Sequence, residues 1–174
     1  MGKGNKRTLD RSALYGGSLR CQKIPFNVLV DLTDGNPGVG TKVLRKLKQG
    51  NLMFFGALCY VTFTKVSGSI TDTFDGDFSI GTTADANATL ATTDVDIIQS
   101  TAMGAATAGV SPRIRALTAN TSGILTNNVT IFDNTAADLE LNLNVLIDDA
   151  AISGAAVLRA KGTLFLAALK MGDD

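Results

Sequence analysis

The residues best placed for chemistry are Gly35, Gly40, Thr41 and Lys42, which follow an apolar stretch and approach the phosphate-cradling pattern G-x-x-x-x-G-K-[ST]. Their last two residues stand in the opposite order. In a working loop the Lys opens a helix and reaches the phosphates, while the hydroxyl after it holds magnesium, so Thr41-Lys42 moves both groups off target. An ordinary Gly/Pro turn accounts for the stretch better. Asp72, Asp75 and Asp77 could share a calcium ion, but the twelve-residue loop with its closing Glu is missing, which favours a solvated turn. Asp148 and Asp149 are adjacent, and neighbours in a strand point to opposite sides, so they read as a turn rather than an acid pair.

Cys21 and Cys59 lie far apart with no metal-ligand spacing, and the chain has no His. That removes the commonest zinc ligand and general base. No nucleophile–base pairing is visible either, so the expectation is a protein that is not an enzyme and has no catalytic residue, cofactor, metal or small-molecule substrate. The longest apolar run, Leu52 to Val61, is far short of a membrane span. The N-terminal stretch is charged and lacks an apolar run, which predicts no secretory signal and a chain made in a reducing cytoplasm.

The elements that would carry any site are short and strand-like. Leu139 to Ile147 places Leu139, Leu141, Leu143, Val145 and Ile147 on one face, with Glu140, Asn142 and Asn144 on the other. Residues 123–133 read as a preceding strand, with 134–138 as the loop of a hairpin. Ile24 to Leu32 puts Phe26, Val28, Val30 and Leu32 on one side. Leu52 to Phe63 is apolar at both parities, which predicts burial on both sides, one face in the core and the other against a second chain or the arm, and Gly56 fits a bend or a close backbone approach. Further strands are expected around Phe78 and Ile80, over 94–98 and 113–117, and as one or two strands over 155–169; residues 100–112 read as a surface loop. The count is about eight short strands with regular turns and no segment of helical period. It predicts an all-β, antiparallel two-sheet β-sandwich, of jelly-roll type.

At 174 residues one core of ordinary size suffices. The division is an extended basic arm over residues 1–24 and a β-sandwich domain over 25–174. The net charge of zero conceals a polarity. Residues 1–50 hold ten Lys and Arg against three Asp, a net of +7, and the remainder holds six against thirteen acids, a net of −7. The arm has too few apolar groups to order itself alone. A basic arm on an acidic body suits an acidic surface, either nucleic acid or another chain's body. The expected partner-binding residues are Arg7, Leu9, Arg11, Leu14, Tyr15, Arg20 and Lys23.

The runs G-N-L-M-F-F-G-A-L-C-Y-V-T-F-T, D-G-D-F-S-I-G-T-T-A-D-A-N-A-T-L and L-N-L-N-V-L-I-D-D-A-A-I-S-G-A-A resemble small structural proteins of tailed bacteriophages, including jelly-roll proteins that decorate or cement the head. The resemblance spans most of residues 40–169. It implies a virion protein on the head surface, a homotrimer seated over junctions between major capsid subunits, with an extended terminal arm clasping its neighbours. It transfers no site residue. A tail or fibre component is the alternative, although the absence of Trp disfavours glycan recognition. Nucleic-acid binding ranks third, because the body is acidic and the arm lacks interleaved aromatics.

Overall fold

β-Branched and aromatic residues at alternating positions produce nine strands in the computed structural model, which describes residues 18–33, 37–47, 49–84, 89–118, 130–132 and 136–170. They are β1 (Ser18–Leu32), β2 (Gly38–Leu47), β3 (Leu52–Ile70), β4 (Gly76–Gly81), β5 (Ile98–Ala102), β6 (Ile114–Leu117), β7 (Thr130–Phe132), β8 (Leu139–Ile147) and β9 (Ile152–Lys170). One sheet runs β1-β9-β3-β6, with β7 added to the same edge of β3 beyond β6; the other runs β2-β8-β4-β5. All pairings are antiparallel.

This order is a jelly roll. The first four strands pair in reverse with later ones, as β1·β9, β2·β8, β3·β6 and β4·β5. A long antiparallel ribbon has been wrapped so that its two halves close a core between two sheets. Phe63 of β3 and Phe78 of β4 meet across that core, with ring centroids 5.4 Å apart and planes tilted by 57°. The all-β two-sheet expectation is therefore met.

The details correct several expectations. Within the single chain β3 buries one face, and its other face belongs to the outer surface of the sheet. Its ladder slips between Phe54 and Gly56, where Gly56 has φ of 149°. Leu52 and Phe54 face the core before this bulge, and Cys59, Val61 and Phe63 face it afterwards. A one-residue insertion reverses parity, so one buried face looks like two in sequence. Of the expected hairpin partner, residues 123–129 and 133 and part of its loop lie outside the described residues, and the described strand β7 pairs with β3 in the opposite sheet rather than with β8. The strand expected over 94–98 begins only at Ile98, after a 3-10 turn at Thr92–Asp94. Residues 103–110 hydrogen-bond back to the β3–β4 region, for example Met103 N–H to Gly76 O and Ala106 N–H to Phe74 O, so they pack instead of looping free.

The boundary between arm and body also moves. Ser18 to Lys23, placed in the arm by sequence, continue β1 opposite Lys170 to Phe165. Pro25 sits within β1 at the sheet edge, where its missing N–H costs no ladder bond.

The polar face of β8 is covered. Leu141, Leu143, Val145 and Ile147 point into the core, and Asn142 and Asn144 on the opposite face are also buried, at 2% and 0% exposure. Asn144 Nδ2 donates to Thr83 O at 3.0 Å and to Asp94 O at 3.2 Å, while Thr41 Oγ1 donates to Asn144 Oδ1 at 2.9 Å. Ser79 Oγ donates to Asp94 O at 2.6 Å. Thr41, Asn144 and Ser79 are cross-strand neighbours on β2, β8 and β4, so one polar row fastens the β4–β5 connection over the sheet. Thr82 closes the connection by donating its N–H and hydroxyl to Asp96, whose carboxyl burial pushes up and these bonds pull back.

Asn144→Leu keeps the branched shape but removes both donors from buried carbonyls, and should cost about 2 kcal/mol, with earlier protease cleavage in the β4–β5 connection than in wild type. Gly76 has φ of 145°, and a Cβ there would lie 2.1 Å from Leu146 O. Gly76→Ala should cost about 2 kcal/mol and lower Tm by roughly 6 °C, read by calorimetry.

Candidate functional site

The residues that sequence singles out for chemistry are dispersed by the fold. Gly40, Thr41 and Lys42 belong to strand β2 rather than to a loop opening a helix. A Cβ on Gly40 would lie 2.5 Å from Asp31 O, so this glycine serves the close approach of β1 and β2. Gly35 lies outside the described residues. Asp72 accepts an ion pair from Lys65 Nζ at 2.8 Å. Asp77 is held above the usual carboxylate range by burial and then by the charge of Asp148. Among the described residues no three His, Cys, Asp or Glu come close enough to hold a metal ion, and no helix is long and apolar enough to cross a membrane. Cys21 is exposed and Cys59 buried, both free; burial pushes the Cys59 thiol up to about 12.

Of the expected arm residues, Arg7, Leu9, Arg11, Leu14 and Tyr15 lie outside the described residues. Arg20 falls on β1 opposite Ala168, and Lys23 lies on β1 opposite Phe165 with its side chain exposed.

What the fold does assemble is the outer face of the β1-β9-β3-β6 sheet. Directly opposed residues share a face, so the register gives its rows. Pro25, Thr163, Tyr60 and Arg115 form one; Asn27, Lys161 and Thr62 the next; Leu29, Arg159 and Thr64 the third. Arg113 precedes β6 and lays its guanidinium over the Tyr60 ring, 4.8 Å from the centroid. A depression of about 770 Å³ lies over these rows, flanked by Arg113 on one side and by Arg159 and Lys161 on the other.

Arg113, Arg115, Arg159, Lys161 and Lys23 are all exposed. None pairs with a carboxylate among the described residues, where the ion pairs are Lys46–Glu140 and Lys65–Asp72. Asp31 stands on the same face, opposite Val157 beyond the third row, and makes no ion pair there.

In the other direction along the strands the face turns apolar. Leu58 is opposed by Phe165 and by Leu117, and Met53 by Leu169 and by Ile131. Leu117 is 45% exposed and Ile131 56%, and Phe55 at the bulge is 41% exposed. Contiguous exposed apolar groups beside unpaired cations are the composition of a surface awaiting a partner. Sequence reading missed this face because its bases come from two distant segments of a stretch with net charge −7. The signal was present in the spacing: Arg113-x-Arg115 and Arg159-x-Lys161 each put two cations on one side of a strand.

No protein-family model matches the chain, and no curated protein matches it. Among solved structures, it is similar to a chain of infectious bursal disease virus, Gx strain, at 10% identity and a TM-score of 0.37, over 90% of this chain and 33% of that one. It is also similar to a chain of broad bean stain virus, at 13% identity and 0.39, over 82% and 85%. A third, the infectious bursal disease virus VP2 subviral particle, gives 10% and 0.35, over 99% and 37%. The chain thus spans about a third of the length of the two bursal disease virus chains.

The two cysteines should separate in reactivity. A native sample titrated with a thiol-reactive disulfide at neutral pH should release one equivalent per chain quickly, from Cys21, and the second only after unfolding. Cys21→Ser should abolish the fast phase.

Proposed function

We propose that the chain is a non-enzymatic structural protein of a virion, which decorates and cements a tailed-phage head by bridging neighbouring major capsid subunits through its β body and its N-terminal arm. The observation that carries this reading is the amphipathic outer face of the β1-β9-β3-β6 sheet, half apolar and half cationic, on a closed jelly roll. A clamp must bury area across more than one neighbour, and a stable contact needs roughly 800 Å² from each partner. A nineteen-residue strand flanked along its length on both sides presents such an area without unfolding anything.

The sequence resemblance to head-decorating jelly-roll proteins points the same way and suggests a homotrimer. Residues 1–17 carry Arg7 and Arg11, and β1 brings the arm to the edge of that same sheet. Arm and face can then hold different neighbouring subunits, the apolar half supplying burial and the bases supplying orientation and on-rate.

Quantitative mass spectrometry of purified particles should find this chain in copies comparable to the major capsid protein. A few copies per particle would move it to the tail or portal vertex, and absence would end the virion reading. Deleting residues 2–17 should weaken binding to stripped particles by at least tenfold and flatten its dependence on salt, since several charge pairs would be lost.

A further inference from the structure

We infer that the cationic half of the outer sheet face is a seat for an extended acidic segment of a partner polypeptide, with carboxylates on alternate residues. The inference rests on the structural role above and names the chemistry of its partner.

The spacing of the cations selects the ligand. Arg159 and Lys161 alternate on β9, so their stems leave the sheet roughly 6.6 Å apart, the same repeat that alternate side chains have in an extended peptide. Arg115 on β6 stands beside β3, and Arg113, just ahead of that strand, reaches over Tyr60 in the same row. The two pairs stand on either side of β3, roughly 10 Å apart, and between them lie Tyr60, Thr62 and Thr64, half-buried and outward. A single extended chain laid over β3 would meet a pair of cations on each flank and hydroxyl groups beneath. Bidentate guanidinium groups match carboxylate geometry.

The walls argue against a polynucleotide. Single strands are held by stacking bases on aromatic faces, and the outward aromatic in this depression, Tyr60, already carries Arg113 over its ring. Apart from the bases, the rest of the outward surface there is Thr, Pro, Asn and Gly. The apolar half next to it, with Leu117 and Ile131 exposed, would gain nothing from phosphates but would bury the aliphatic groups of a protein. Charge complementarity and the neighbouring apolar surface thus select the same partner, a polypeptide.

The test uses the full chain in solution, without particles, so it succeeds or fails independently of copy number in a virion. Fluorescence anisotropy would follow a labelled short peptide of alternating Glu and Leu, beside an oligothymidylate of matched charge. The peptide should bind, more weakly as salt rises, and in preference to the oligonucleotide. The double variant Arg159→Ala/Lys161→Ala should weaken it by roughly tenfold or more, whereas Lys42→Ala/Arg45→Ala on β2 should leave it unchanged. Thr62→Glu places a carboxylate between the cation pairs and should block the peptide while all four bases remain; unchanged thermal midpoints would show that these outward substitutions spare the fold. Tighter binding of the oligonucleotide, equal binding by the Arg159/Lys161 double variant, or no peptide binding at low salt would each overturn the inference.

Discussion

Strand β9 is hydrogen-bonded to β1 along one side and to β3 along the other for nearly its whole length, and the rest of the molecule is arranged about that double ladder. One alternation of side chains along it therefore has two jobs. Ala156, Leu158, Ala160, Leu164, Leu166 and Ala168 point inward and are buried. Gly162 interrupts the series where Phe26 crosses: a Cβ there would lie 2.7 Å from the Phe26 ring and 2.2 Å from Tyr60 O. Small residues on β9 thus make room for large ones on β1 and β3, as close packing of a thin sandwich requires. Arg159, Lys161, Thr163 and Phe165 point outward and form part of the outer face of the sheet. Core and surface are built from the odd and even positions of one strand.

The same geometry resolves the charge puzzle. The sum of charges over residues 51–174 is acidic, yet the outer sheet face is cationic because β6 and β9 bring Arg113, Arg115, Arg159 and Lys161 within two strands of each other. The acids gather elsewhere. Asp77 and Asp148 lie near enough for one charge to raise the other group's carboxyl, close to the β3–β4 turn and the start of β9. Net charge along a chain and potential over its surface are different quantities, and only the second steers a partner.

What could be read from sequence follows from which rule was locally undisturbed. β8 and β1 announce themselves by strict alternation, and the strand count led to the sandwich. Gly56 blurs the period, since a bulge switches the inward parity partway along β3 and makes both parities apolar in a linear string. Asn142 and Asn144 were correctly turned away from the core, but no local rule says that the sixteen-residue connection between β4 and β5 will use their amides as anchors. β7 is three residues long, too short for its own pattern to choose between sheets, and tertiary pairing chose β3. The arm boundary failed for a related reason: Cys21 and Lys23 are exposed outward residues of an edge strand, and polar, low-density sequence at an edge looks like a tail.

Placing the proposed binding chemistry on outward positions of a rigid central strand has a physical consequence. Exposed cations held at a fixed repeat by two ladders need little reordering of backbone on docking, so less of the contact energy is lost to entropy than on a mobile loop. The cost is borne by electrostatics in the free protein, where the like charges of β6 and β9 face each other across β3 and repel. Arg113 relieves part of that by lying on Tyr60. The remaining repulsion disappears only when opposite charge arrives, which makes the unpartnered face a source of binding free energy rather than a defect of the fold.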